Sequence, residues 1–378
     1  MITIFHLPTK IIFGSGSIAS LGEEAQKLGK KAIIVTYPDI KKVGILIKIV
    51  DGLKAKKVYS VVFDEVEPNP HSTTVDKGAE IVRREQIDLI IGLGGGSAMD
   101  AAKGIALASS STESIWQYWG VTIEPKGPVR PIIQVPTMAG TGSEANPSMV
   151  ITNWEKHEKV GLGHPSLFAQ VSIVDPEVTL SVPKRQTAAG GVDIFSHLVE
   201  YYLMPESPLP LNDGIREALL RVVVKYLPRV LAKLDDIEAR TQLSWASTIA
   251  MSQLARLGGT AGAMSCHGLE HALSGYYDVT HGVGLATLLP VWMRNILPVR
   301  KERLDLLGKN VFGKTDGIKA TEEWLEEVGM SFKLRDFGFK LEHAEEVAEN
   351  ALRTSRGIAQ HPIKLEVETV AQIYKDAY

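Results

Sequence analysis

The stretch Ile87-Asp-Leu-Ile-Ile-Gly92-Leu-Gly94-Gly95-Gly96-Ser97-Ala-Met-Asp100 decides the fold. Its first half is a short β-branched run of the kind buried inside a sheet. Its second half is a glycine cluster opening a helical pattern that runs from Ala98 to Ala108. Glycines let the backbone approach a ligand closely, and the free N–H groups and dipole of the following helix form an anion site suited to a pyrophosphate. A glycine run alone is as often a tight turn. The strand before it and the helix after it carry the phosphate reading.

Outward from this stretch the same alternation continues. Lys31 to Thr36, Val58 to Phe63, Pro131 to Pro136 and Val171 to Asp175 read as further buried strands, and Ser17 to Leu28 and His71 to Glu85 as helices. Alternating strands and helices imply an α/β domain with a doubly wound, mostly parallel sheet, which binds ligands beyond the carboxyl ends of its strands. A second loop of small and hydroxyl residues, Pro136-Thr137-Met-Ala-Gly140-Thr141-Gly142-Ser143-Glu144, also follows a strand. Two such loops on one sheet favour a dinucleotide over either loop alone.

After Pro183 the β-branched runs vanish and long amphipathic segments take over, Arg185 to Tyr202, Asp213 to Leu234, Ile237 to Leu257, Ile318 to Glu327 and Leu341 to Leu352. The expected organisation is a nucleotide-binding domain over residues 1–183 and an all-α domain over residues 184–378. The second domain concentrates histidine. Asp193 and His197 are four apart on one helix, so their side chains project from one face. His267 and His271 repeat that spacing in Cys266-His-Gly-Leu-Glu-His271, and His281 follows in a Gly-flanked turn. Nitrogen and carboxylate donors suit Fe(II) or Zn(II), and an open position would make the site catalytic. Hydrogen-bonded packing is the competing explanation for each histidine, and spacing does not select four ligands from these five residues.

Composition bounds the rest. The chain has 378 residues, 44% apolar and 22% charged, with a net charge of −3, so nothing suggests a nucleic-acid or anionic-membrane partner. One cysteine, Cys266, rules out an intramolecular disulfide and a Cys-rich zinc site. The N-terminus lacks the pattern of a signal peptide, and the longest apolar stretch, Leu89 to Ser109, is broken by Asp100 and Lys103. A cytoplasmic setting is the expectation.

Taken together, Phe13-Gly, Pro68-Asn-Pro70, Gly94-Gly-Gly-Ser-Ala-Met-Asp100, the Pro136-Thr loop, Gly191-Val-Asp193-Ile-Phe-Ser-His197 and His267 to His281-Gly-Val resemble the iron-containing (group III) alcohol dehydrogenase family. That family shares its fold with glycerol dehydrogenase and dehydroquinate synthase, and the likeness covers nearly the whole chain. It implies a metal held by Asp193, His197, His267 and His281, with His271 beside the nicotinamide as a proton-transfer group. It implies Fe(II), with zinc as the alternative. It places Gly94, Gly95, Gly96 and Ser97 at the pyrophosphate, Asp100 towards the nicotinamide ribose, and Thr137, Thr141 and Ser143 along the second loop. By the same likeness Asn69 lies near the adenine, Lys159 near the ribose, and Leu180 packs by the cofactor.

One departure bears on cofactor choice. NAD-preferring members carry an acid directly after the second strand to hold the ribose hydroxyls. Here Tyr37 stands in that place, as in NADP-using members, and Lys41 and Lys159 would meet a 2′-phosphate, whereas Asp39 would repel it. The expectation is NADP, with NAD as the alternative. The implied activity is interconversion of small neutral primary alcohols and aldehydes by hydride transfer, in a homodimer. A zinc-dependent polyol or glycerol-type dehydrogenase, a dehydroquinate synthase-like lyase and a non-catalytic nucleotide sensor are the alternatives. The lyase needs a strongly basic pocket that the sequence lacks, and a sensor has no use for a Lewis acid.

Overall fold

The computed structural model describes residues 5–257 and 264–378; the stretch 1–4, part of the N-terminus read above, lies outside them. The chain divides into two compact units, one of residues 6–156 and 160–182, the other built from residues 157–159 and 183–378.

The strands are β1 (Lys10–Phe13), β2 (Lys31–Val35), β3 (Tyr59–Phe63), β4 (Leu89–Gly94), β5 (Ile132–Pro136), β6 (Ser148–Asn153), β7 (Glu158–Gly163) and β8 (Val171–Val174). Six of them form one sheet in the order β1-β8-β5-β4-β2-β3, and every pairing is parallel. β6 and β7 form a separate two-stranded sheet. The first unit also holds α1 (Leu21–Leu28), α2 (Ile45–Ala55), α3 (Ser72–Arg84) and α4 (Gly96–Ala108). Because side chains alternate along a strand, the sheet feeds two cores. Ile33, Val35, Ile90 and Ile132 face Val75, Ala79 and Val82 of α3 and Ala102 and Ile105 of α4. Ala32, Ile34, Ile91 and Ile133 face Leu21 and Ala25 of α1 and Ile49 and Leu53 of α2. Burial on both faces accounts for the continuous apolar runs in the sequence.

The chain leaves β2 for the edge strand β3 and then returns across β2 to β4, so the switch of strand order lies between β2 and β4. The turns at their carboxyl ends carry Tyr37 and the glycine cluster. Gly94 has φ of +154°, and a Cβ there would lie 2.6 Å from the Ala98 Cβ, so only glycine fits.

The second unit is helical: α5 (Lys184–Leu203), α6 (Pro210–Ala232), α7 (Ile237–Ala250), α8 (Gln253–Arg256), α9 (Ser265–Tyr277), α10 (His281–Leu307), α11 (Gly317–Glu327), α12 (Ala344–Thr354) and α13 (Val367–Asp376). α5 is buried without a break from Thr187 to Leu203 and packs on α6, α7 and α10. Such a helix is a core element whose polar residues need a reason. α10 is long and apolar enough to cross a bilayer by composition, but 72% of its most apolar window is buried within the protein.

Five strands expected from the sequence are present within one or two residues. β1, the β6–β7 pair, α2, α9, α10 and α13 were not expected, and His281, expected in a Gly-flanked turn, opens α10 instead. β1 has four residues, and α2 carries the β-branched run Ile45-Leu-Ile-Lys-Ile-Val50, which by itself resembles a strand. The expected helix over 237–257 is instead two, α7 and α8, broken at Met251 and Ser252, and the Ser252 side chain caps the second. Residues 157–159, read within the nucleotide half, group with the helical unit.

Candidate metal centre and dinucleotide loops

α5 brings Asp193 and His197 one turn apart into the core of the helical unit, α9 supplies His267 and His271, and α10 begins at His281. Gly282 sets the approach of α10 to α5, since a Cβ there would fall 2.1 Å from the Ala189 carbonyl oxygen. As a result three imidazoles converge on one carboxylate oxygen. Asp193 Oδ1 lies 3.2 Å from His197 Nδ1, 3.6 Å from His267 Nε2 and 3.6 Å from His281 Nε2. Donors at ~2.1 Å from a tetrahedral ion stand roughly 3.4 Å apart, so the spacing fits a small divalent cation.

The hydrogen-bonding state of these atoms points the same way. Asp193 Oδ1, His197 Nδ1 and His267 Nε2 are buried with no hydrogen-bond partner. Each unsatisfied buried polar atom costs about 1–3 kcal/mol, and three aimed at one point are explained by a shared ion. Burial would raise the Asp193 carboxyl, but the surrounding imidazoles outweigh it and hold it at about 2. Burial pushes His197 down to about 3, and burial with the Lys159 ammonium pushes His281 well below the usual range. Burial also opposes charge on His267, but the Glu200 and Asp193 carboxylates raise it to about 9. The cluster thus offers one carboxylate, two neutral imidazoles and one imidazole whose proton an ion would displace.

Two carboxylates that sequence reasoning missed stand behind the ligands. Glu200, on α5, accepts from His267 Nδ1 and from the Cys266 and His267 backbone N–H groups. Glu270, on α9, accepts from His281 Nδ1, Lys159 Nζ and the Ser274 hydroxyl. Both are fully buried. A carboxylate on Nδ1 leaves the Nε2 lone pair to face a metal, the usual arrangement behind a metal-bound histidine. Their signal in the sequence was the position of each acid, three residues after His197 and three after His267. His271 is partly exposed, its ring 6.4 Å from that of His267 and 5.5 Å from that of His281, and burial lowers its pKa well below the ordinary value. The Cys266 thiol is buried and pushed well up by that burial.

In the sheet unit, no side chain caps α4, which leaves its first N–H groups to a ligand. The Thr137 N–H donates to the Gly94 carbonyl at 2.9 Å, and a Cβ on Gly96 would lie 2.4 Å from Thr141 Cγ2. Gly94, Gly95, Gly96, Ser97, Thr137 and Thr141 therefore gather at the ends of β4 and β5. Ser143 is turned inward: its hydroxyl donates to Asp100 Oδ1 at 2.6 Å, while Asp100 Oδ2 accepts from the Val150 N–H at 2.8 Å. Lys103, fully buried, donates to the Ser143 hydroxyl and to the Ser143 and Ser148 carbonyls. Asp100, read as a ribose contact, here ties the second loop to α4. Burial lowers Lys103 to about 8, against the pull of Asp100 and Glu144.

The remaining cofactor candidates are dispersed. Tyr37 is half-buried beside Gly94 and bonds the Thr137 side chain. Asp39 is exposed and 2.7 Å from Lys42, and Lys41 is 2.5 Å from Asp64. Lys159, 4% exposed, stands on Glu270. Asn69 is buried with φ of +51°, and Leu180 is 38% exposed after β8.

A family model described as iron-containing alcohol dehydrogenase matches residues 8–176, and one for the C-terminal part of the Fe-containing alcohol dehydrogenase family matches residues 187–378. Among curated proteins, the NADH-dependent butanol dehydrogenase A of Clostridium acetobutylicum is 39% identical over 99% of this chain and 99% of its own. The 1,3-propanediol dehydrogenase of Klebsiella pneumoniae is 32% identical over 99% of this chain and 98% of its own. Among solved structures, an NADH-dependent butanol dehydrogenase A from Thermotoga maritima superposes with a TM-score of 0.95 at 34% identity, covering 100% of this chain and 98% of that one.

Proposed function

The chain belongs to the iron-containing alcohol dehydrogenase family and is an oxidoreductase acting on alcohols, and from that premise we propose that Asp193, His197, His267 and His281 hold a catalytic Fe(II). The observation that carries the proposal is the convergence of three imidazole nitrogens on Asp193 Oδ1 at 3.2–3.6 Å, with Asp193 Oδ1, His197 Nδ1 and His267 Nε2 buried and without hydrogen-bond partners. Zinc fits the same donors, and iron is preferred because the family likeness gives three histidines rather than two.

When bound, the ion supplies a Lewis acid for an alcohol or carbonyl oxygen, and the nicotinamide supplies the carrier of the hydride. The protein's part is positioning. Glu200 and Glu270 take the Nδ1 protons of His267 and His281, which fixes the tautomer and aims each Nε2 towards Asp193. Donors fixed in this way need no rearrangement as charge develops. His271, one turn beyond His267 and partly exposed, is the proposed carrier of the proton released on oxidation, with its neutral imidazole as the resting form. The uncapped start of α4 and the Thr137 loop are the proposed pyrophosphate contacts, and Asn69 and Leu180 flank the cofactor.

The substrates are small neutral primary alcohols and aldehydes, in line with the butanol and propanediol named for the relatives. NAD(H) is the proposed cofactor, since the butanol dehydrogenases of Clostridium acetobutylicum are NADH-dependent and since Lys41, Lys42 and Lys159 are each already paired with a carboxylate. NADP(H) is a second reading, favoured by Tyr37 where an acid would grip the ribose. A cytoplasmic homodimer completes the proposal on family likeness alone. The test mixes anaerobically iron-loaded protein with NADH or NADPH and a panel of short aldehydes. Oxidation of neither coenzyme with any carbonyl would sink it.

A further inference from the structure

Three consecutive residues ahead of and opening β7 are fastened to the helical unit. His157 adopts φ of +53°, its ring stacks on Tyr276 at 4.7 Å between centroids, and its Nδ1 lies 3.1 Å from the Gly275 carbonyl. Asn350, on α12, donates to the His157 carbonyl at 3.1 Å. Glu158, buried, pairs with Arg353. Gly275 makes room for the segment, since a Cβ there would meet the His157 carbonyl oxygen at 2.5 Å. This fastening delivers one further side chain, Lys159.

Lys159 Nζ lies 3.3 Å from Glu270 Oε2 and 3.4 Å from His281 Nδ1, with Lys159 4% and Glu270 0% exposed. The same Glu270 oxygen accepts from His281 Nδ1, and its other oxygen accepts from Ser274. A fully buried carboxylate is strongly disfavoured unless a counter-ion or several hydrogen-bond donors stand beside it, and at Glu270 the counter-ion is Lys159. Glu200 differs: no lysine or arginine pairs with it among the described residues, and it takes backbone N–H groups instead.

We propose that Lys159 is a positioning residue of the metal centre: through Glu270 it fixes the His281 imidazole with Nδ1 as donor and Nε2 towards Asp193. The chain Lys159–Glu270–His281 rests on the metal reading above and departs from the nucleotide contact that family likeness suggested for this lysine. Lys159 Nζ, 3.4 Å from His281 Nδ1, has no lone pair to accept the Nδ1 proton, which leaves Glu270 as the acceptor for it. His281 therefore depends on the segment 157–159, whereas His267 is held by Glu200 of α5.

The test measures Zn(II) affinity of the apoprotein by chelator competition for wild type, Lys159→Met, Lys159→Arg, Glu270→Gln and the double variant Lys159→Met/Glu270→Gln. NADH affinity of each apoprotein is measured by fluorescence, and the His281 tautomer by ¹⁵N NMR. The expected result is a loss of about 10- to 100-fold in Zn(II) affinity for Lys159→Met and for Glu270→Gln, a double variant no worse than the weaker single, and recovery with Lys159→Arg. His281 would show mixed tautomers in Lys159→Met, and NADH affinity would stay within about twofold of wild type. Wild-type Zn(II) affinity in Lys159→Met with weakened NADH binding would overturn the proposal and return the lysine to the cofactor. Should Lys159→Met fail to fold, Glu270→Gln decides: full Zn(II) affinity there overturns the chain. A wild-type protein that takes up no metal would sink the metal reading itself, a different outcome from equal affinity across all variants.

Discussion

Gly282→Ala leaves every metal donor in place and should still cost the site its ion. The added Cβ would stand 2.1 Å from the Ala189 carbonyl oxygen and 2.6 Å from its carbon, both backbone atoms of a buried helix. No rotamer relieves that contact, so the start of α10 must move away from α5 by about 1 Å to regain ordinary separation. His281 is the first residue of α10 and moves with it, while Asp193 and His197 stay on α5. The 3.6 Å spacing between His281 Nε2 and Asp193 Oδ1 would then open to about 4.5 Å, against a tolerance near ~0.2 Å for a metal–ligand bond. Expected are a fall in metal affinity of at least about 10-fold and a drop of about 1–3 kcal/mol in the stability of the apoprotein. Chelator competition with elemental analysis reads the first, and urea unfolding of the metal-free protein reads the second. Wild-type metal affinity in a folded Gly282→Ala protein would refute the claim that this helix approach builds the site.

Other perturbations separate the roles assigned here. His267→Ala should lose metal and activity together, whereas His271→Ala should keep the metal and slow turnover; loss of metal from His271→Ala, read by elemental analysis, would show a misassigned ligand. Lys103 has a folded pKa of about 8 against an unfolded value near 10.5, so between those values the unfolded chain binds more protons and stability should rise with pH, by up to about 3 kcal/mol. Lys103→Met should flatten that slope relative to wild type in urea titrations at pH 7.5 and pH 10, and equal slopes would remove the buried ammonium from the account. Tyr37→Asp should shift the ratio of NADH to NADPH turnover towards NADH by restoring an acid after β2, and an unchanged ratio would separate residue 37 from cofactor choice.

The parallel sheet and the helical half could be read directly, because burial on both faces leaves uninterrupted β-branched runs and because the histidines fall at helical spacing. α2 escaped because Ile45, Ile47, Ile49 and Val50 favour a strand locally, and packing of Ile45, Ile49 and Leu53 on the sheet overrides that preference. The proposed metal ligands were legible as five candidates, and family likeness reduced them to four. For the shell behind them, spacing offered only the i+3 positions of Glu200 and Glu270 and not which histidine each one serves. Glu200 sits three residues from one ligand in sequence yet serves another, His267, on α9, and Lys159 reaches Glu270 across more than a hundred residues. Family likeness implied Asp100 and Ser143 as cofactor contacts, and only the fold reveals that they bond one another. Long-range polar pairing of this kind depends on the packed structure and leaves no periodic trace.

The most direct test of the central claim is anomalous diffraction at the iron edge from crystals of anaerobically iron-loaded protein. The account predicts one peak per chain, at about 2.1 Å from Asp193, His197, His267 and His281, with His271 outside its shell. A peak bound by His271, or none at Asp193, would contradict it.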